Sequence, residues 1–124
     1  MYLFFDTETT GLPKNWKAPV TDTNNWPRLV QLAWLVYNEK GELIDAQDFI
    51  IKPDGFTIPA EASRVHGINT QRALEEGVEL TEVLVKFNEH ISNMPYLVAH
   101  NMSFDEKIVG AEFVRTQINS DLFF

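Results

Sequence analysis

The sequence predicts one α/β domain over residues 1–124: a mixed sheet, built from a three-stranded antiparallel meander plus at least one parallel strand, with helices packed on it. Three observations predict this. Short apolar, β-rich runs fill the first fifty residues. A helical period takes over between Ala60 and Ile91. A last apolar run, Tyr96–Ala99, then returns to the sheet before a final helix, and a helical crossover of that kind sets the returning strand parallel to a meander strand.

Tyr2–Phe5 is a short aromatic run that stops at Asp6 and reads as a buried strand. Thr10–Pro27 is a polar connection holding Gly11, Pro13, Pro19 and Pro27; a connection of this length inside one domain is a functional or mobile segment. Its stretch from Lys14 to Pro27, with Trp16 and Trp26, reads as a substrate flap or a docking surface. Leu29–Tyr37 is a second strand, Asn38–Gly41 a turn, and Leu43–Ile51 the third strand of a hairpin. Ala60–Val65 is a short helix closed near Gly67, and Thr70 is placed to cap another from Gln71 to Glu76. Thr81–Ile91 sets Val83, Leu84, Phe87 and Ile91 on one side of an amphipathic helix, with His90 near its surface. After the fourth strand, Ser103 and Glu106 form a capping-box pattern opening a helix with Phe104, Ile108, Ala111 and Arg115 on adjacent turns. The chain ends on Asp121-Leu122-Phe123-Phe124, an apolar tail expected either to dock elsewhere or to mark a domain cut short.

Composition narrows the function. Hydrophobic residues at 44% and charged residues at 23% are those of a globular protein. The absence of cysteine excludes disulfides, thiolate metal sites and cysteine nucleophiles. No apolar run approaches the roughly 20 residues of a membrane span, and Asp6 interrupts any signal-peptide pattern, so no membrane role and a cytoplasmic address are expected. The net charge of −8 argues against gripping a long stretch of nucleic acid by charge alone. It leaves open a strand end held through divalent cations, since two such ions would bring −8 to −4.

Two acid clusters carry the chemistry. In an extended segment Asp6 and Glu8 point to the same side, and two carboxylates so placed repel each other unless a cation joins them; oxygen ligands suit Mg²⁺ or Mn²⁺. Alone, such a pair is common, and two solvated acids at a loop start is the commoner explanation. The second cluster, His100-Asn101-Met102-Ser103-Phe104-Asp105, lies where the fourth strand meets the last helix. There Asp105 could simply stabilise a helix N-terminus, by about 0.3–1 kcal/mol. If the first and fourth strands are adjacent and parallel, both clusters meet at one carboxyl-terminal sheet edge, where open α/β sheets place their sites.

Phe5-Asp6-Thr7-Glu8-Thr9-Thr10-Gly11-Leu12 and His100-Asn101-Met102-Ser103-Phe104-Asp105 resemble the first and second motifs of the DEDD (DnaQ-like) 3′–5′ exonucleases. The likeness is nearest to the epsilon-type proofreading branch of bacterial DNA polymerase III. Ile58–Ala62 and Val65–Ile68 are similar to that family's intervening segment. The resemblance implies a ribonuclease-H-like fold and hydrolysis of the terminal phosphodiester with two Mg²⁺ or Mn²⁺ ions held by Asp6, Glu8 and Asp105. It also implies that Thr9, Leu12, Glu61, His66 and Phe104 touch the terminal nucleotide, that the partner is a single-stranded or frayed DNA 3′ end, and that a DNA polymerase subunit is a further partner. On pattern alone, His66 reads as a helix terminator, Phe104 as core and His100 as a structural histidine rather than the base.

The family's third motif, a His or Tyr followed some five residues on by a last Asp, has no match here. No His or Tyr follows position 100, and the acids beyond Glu106 are Glu112 and Asp121, neither in that context. The expectation is therefore an N-terminal part of an exonuclease domain, inactive alone for want of a general base, C-terminally incomplete and self-associating through exposed sheet edges. Competing expectations of the same fold are a non-catalytic module that binds a nucleotide end or a polymerase partner, and a short-RNA exonuclease.

Overall fold

The structure is a computed structural model and describes residues 1–120; the apolar tail from Asp121 onward lies outside the described residues. Four strands and four helices follow in the order β1 (Tyr2–Thr9), β2 (Leu29–Tyr37), β3 (Leu43–Ile50), α1 (Ala60–His66), α2 (Thr70–Glu76), α3 (Leu80–Ile91), β4 (Tyr96–Val98) and α4 (Met102–Thr116). The sheet order is β3-β2-β1-β4. β1 is antiparallel to β2 and parallel to β4, with Tyr2, Leu3 and Phe4 opposite Tyr96, Leu97 and Val98. The meander and the parallel fourth strand are as the sequence predicts.

Boundaries differ where the backbone found a partner that side-chain pattern does not reveal. β1 does not stop at Asp6. It runs to Thr9, because Asp6 pairs with Ala33 and Glu8 with Gln31 across the ladder to β2. The acids therefore sit in the strand, not beyond it. α2 is capped by Asn69, whose side-chain oxygen accepts from the Arg72 N–H at 2.8 Å. Thr70 instead accepts the Ile58 N–H through its hydroxyl, tying the loop before α1 to α2. The expected capping box at Ser103 does not form. α4 begins at Met102 behind Asn101, and the Ser103 hydroxyl donates to Asn101 Oδ1 at 2.9 Å. α1 closes on Gly67, which takes a left-handed φ of 78° that an L side chain rarely adopts.

The alternation of β1 divides its residues between two sides. Leu3, Phe5 and Thr7 are buried, whereas Tyr2, Phe4 and Asp6 are exposed. The inward side packs with Trp34, Phe87, Ile108 and Phe113 in the main core, with the Phe87 ring 5.4 Å from Phe5 and 5.0 Å from Trp34. Each such ring contributes about 1.5–3 kcal/mol by burial. A smaller cluster of Val30, Ile58, Ala62, Ile68 and Ala73 lies beneath α1 and α2. The main core holds α4 beside β1, which is what brings the second acid cluster to the first.

The connection from Thr10 to Pro27 is pinned rather than loose. Asn15 and Asn25 exchange two hydrogen bonds, at 2.7 and 2.9 Å, and the Trp26 indole N–H donates to the Pro19 carbonyl. Beneath it lies a charge cluster. Glu112 is fully buried; it accepts from Arg28 Nε at 3.2 Å and the Leu29 N–H at 2.9 Å, and its other oxygen pairs with Arg115 Nη1 at 2.9 Å. The second Arg115 nitrogen donates to the carbonyls of Thr23 and Trp26, so α4 holds the connection directly.

Candidate active site

Asp105 enters through α4. It lies in the first turn, is 4% exposed, and accepts the Thr7 hydroxyl at 2.6 Å. Thr7 is the inward residue between Asp6 and Glu8, and a buried hydroxyl needs a partner. That bond fastens the start of α4 to the strand that carries the other two acids. Sequence reasoning missed Thr7, although its place between two outward acids on a strand whose inward face is buried was the available signal.

The three acids act on one another. Burial pushes the Glu8 carboxyl above its usual range, and repulsion from Asp6 and Asp105 adds to that, while His66 opposes it. Burial also raises Asp105, with Asp6 adding to it and the Thr7 hydrogen bond opposing. Both sites thus favour a positive charge arriving, whether proton or cation. Among the described residues no three His, Asp or Glu side chains already form a metal cage. The donor set nevertheless fits a hard cation: carboxylate oxygens, no sulfur, and mutual repulsion that a cation would relieve.

Beside Glu8 is a cavity of about 360 Å³ lined by Thr7, Glu8, Thr9, Gly11, Leu12, Ala62, Val65, His66 and Phe104. Four of the five residues expected to touch a nucleotide, Thr9, Leu12, His66 and Phe104, line it. Glu61 does not; it is exposed in the first turn of α1, to the side of the face that Ala62, Val65 and His66 share at helical spacing. Most of the lining is apolar, and Leu12 and Val65 are 74% and 82% exposed on its rim. Such walls suit a sugar and base next to a charged phosphate.

His66 is held on both ring nitrogens. The Ile68 N–H donates to Nδ1 at 3.2 Å, which places the proton of the neutral ring on Nε2, and Nε2 lies 3.2 Å from the Thr9 carbonyl oxygen. The histidine therefore fastens α1 to the end of β1, and it is more than a helix terminator. Phe104 packs on the core, as pattern alone predicts, and also lines the cavity, with its ring 5.4 Å from that of Trp16.

Asp6 and His100 border a different hollow, of about 420 Å³, together with Phe4, Ala33, Leu35 and Val98 on the outward side of the sheet. His90 lines neither cavity; its Nε2 lies 2.8 Å from Asp45 Oδ2 and its ring 5.5 Å from that of Trp34. Glu112 belongs to the buried arginine cluster and not to the site.

Residues 3–120 match the exonuclease family RNase_T. The chain is 32% identical over 117 residues to the PolC-type DNA polymerase III of Streptococcus thermophilus, covering 94% of this chain and 7% of that protein. It is 32% identical over 108 residues to the DNA polymerase III subunit epsilon of Treponema pallidum, covering 87% of this chain and 44% of that one. The chain thus spans less than half the length of these relatives. Among solved structures, E. coli exonuclease I in complex with a dT13 oligonucleotide superposes with a TM-score of 0.75 at 22% identity, over 92% of this chain and 23% of that one. A product-bound exonuclease I structure superposes with a TM-score of 0.73 at 22% identity, over 92% and 25%.

Proposed function

From the chain's membership of the RNase_T exonuclease family, we propose that it belongs to a metal-dependent 3′–5′ exonuclease that hydrolyses the terminal phosphodiester of DNA and releases nucleoside monophosphates. The observation that carries this is the hydrogen bond from the Thr7 hydroxyl to Asp105, which brings the acid of α4 to the strand bearing Asp6 and Glu8, beside the apolar cavity that Glu8 borders. Asp6, Glu8 and Asp105 are the proposed ligands of two Mg²⁺ or Mn²⁺ ions. Bound there, such ions would supply charge neutralisation of the scissile phosphate and a water acidic enough to attack it.

The chain's own residues do the positioning. Phe104 and Leu12 offer apolar surface to the terminal base and sugar, and contact of this kind is indifferent to sequence. His66 holds the Thr9 carbonyl and so fixes the strand end against which the nucleotide rests. Glu61, exposed on α1, is proposed to reach the nucleotide from outside the cavity. The Thr7 hydroxyl keeps Asp105 turned toward β1. The names of the polymerase III relatives support a place beside a DNA polymerase; proofreading in the cytoplasm is the role proposed for it there. The outward sheet face, with Tyr2, Phe4, Leu35 and Tyr96 exposed, supports association between copies of the 124-residue chain.

A second reading is a non-catalytic module of the same fold that binds nucleotide ends. The two separate on sequence beyond Phe124, where a His or Tyr followed by Asp favours the enzyme and supplies the base this chain lacks. On the 124-residue chain the test is calorimetric titration with Mn²⁺, then with dTMP in its presence. Wild type is expected to bind both and Asp6→Ala neither. Equal Mn²⁺ binding by the two proteins would refute the assignment.

A further inference from the structure

The connection between β1 and β2 presents one large aromatic to solvent. Trp26 and Trp34 are buried, at 3% and 1% exposed, whereas Trp16 is 45% exposed. Trp16 is thus half-exposed on a loop that is otherwise pinned. Its backbone is held from α4, where the Lys107 ammonium donates to the Trp16 carbonyl at 3.2 Å, and the Lys17 N–H caps onto Asn15 Oδ1 at 2.9 Å. The indole lies against the Phe104 ring with centroids 5.4 Å apart and planes tilted by 43°. Phe104 is a wall of the cavity beside Glu8, so Trp16 continues that wall outward.

Charge points the same way. The chain carries six lysines, and three of them, Lys14, Lys17 and Lys107, are on or against this loop. Lys14 and Lys17 are exposed on either side of Trp16. In a protein of net charge −8, the segment from Thr10 to Pro27 carries two lysines against one acid, Asp22. A ring flanked by cations is the arrangement that binds single-stranded nucleic acid, the base stacking and the phosphates pairing.

We propose that Trp16 is a second base platform, stacking on the nucleotide one step inward from the 3′ end, with Lys14 and Lys17 as the cations for its phosphates. The inference rests on the reading of the cavity as the site of the 3′-terminal nucleotide. It adds a specificity: an inward base stacked on Trp16 cannot stay paired, so the strand must be single-stranded or frayed for at least two nucleotides.

The test uses two ligands in Mn²⁺: dTMP, which fills only the cavity, followed by calorimetry, and 5′-fluorescein-labelled dT4, followed by anisotropy. Trp16→Ala is expected to weaken dT4 binding at least about fivefold, Trp16→Phe to keep most of it, and both to bind dTMP as wild type does. Lys14→Gln with Lys17→Gln is expected to flatten the salt dependence of dT4 binding. Equal dT4 affinity in wild type and Trp16→Ala, or wild type binding dT4 no tighter than dTMP, overturns the second platform while leaving the cavity reading intact. An equal loss of both ligands in Trp16→Ala also overturns it, since the indole then only shapes the first cavity. Wild type that binds neither ligand overturns the cavity reading and this inference with it.

Discussion

Replacing Glu112 with alanine should be among the most damaging single changes in the protein, although Glu112 is not in the site. Its carboxylate is 0% exposed and serves two arginines and the Leu29 N–H. Removing one partner of a buried ion pair costs about 3–5 kcal/mol, because the charge left behind is unpaired. Two features favour the lower end. Arg28 and Arg115 keep side-chain exposures of 26% and 16%, and Arg115 retains the Thr23 and Trp26 carbonyls. A loss of about 3 kcal/mol, with a urea slope of about 2 kcal/mol per molar, moves the unfolding midpoint down by about 1.5 M. Against a total stability of about 5–15 kcal/mol this is a large share. Glu112→Gln keeps an oxygen for the Leu29 N–H and should fall between the two. Urea denaturation followed by circular dichroism makes the measurement. A midpoint shift below about 0.5 M for Glu112→Ala would mean that the arginines reach water at little cost, and that the cluster does not hold the connection from Thr10 to Pro27 in place.

Two further outcomes are expected. Gly77→Ala should destabilise by at least about 2 kcal/mol, since an added Cβ would meet the Ala73 carbonyl oxygen and Lys52 backbone atoms at 2.5 and 2.6 Å; the same urea titration measures it, and a neutral result would show that this crossing can widen freely. Glu8 and Asp105 hold protons more tightly folded than unfolded, so in the absence of divalent cations their contribution to stability is complete below the ordinary carboxylate range and is lost as pH rises through their raised folded values. Asp105→Asn should therefore melt about 3–5 °C above wild type at pH 7.5 in a chelator, with the gap closing toward pH 4; a gap independent of pH would refute the electrostatic account.

Element order was legible because it is written in local period. Leu29–Tyr37 is a nearly unbroken apolar, β-rich run between Arg28 and Asn38 and its bounds are those of β2, and Ala60–His66 ends at a glycine that takes positive φ. The ends of elements were less legible where a backbone partner decided them. Nothing local says that Asp6 and Glu8 pair with Ala33 and Gln31, so β1 extends past its apolar run. At α2 the cap falls one position before the residue that pattern favours, since Asn serves as well as Thr; at α4 Asn101 precedes the helix without a side-chain cap bond, its Oδ1 taken by the Ser103 hydroxyl. The cavity residues were found through motif likeness, not composition. The Glu112 cluster was not found, for an acid in the run Ile108–Phe113 finds Arg115 three residues on but Arg28 far upstream in sequence.

The bond between Thr7 and Asp105 spans a sequence separation of 98. Closing a loop of that size costs about 4 kcal/mol of chain entropy, against well under that for the β2–β3 hairpin. The hairpin can therefore form early, while Asp105 reaches Thr7 only after β4 and α4 have docked. The acidic centre is thus expected to assemble after the hairpin, and a cation held there would act mainly on the finished state. Such an ion would slow unfolding and leave the rate of folding almost untouched.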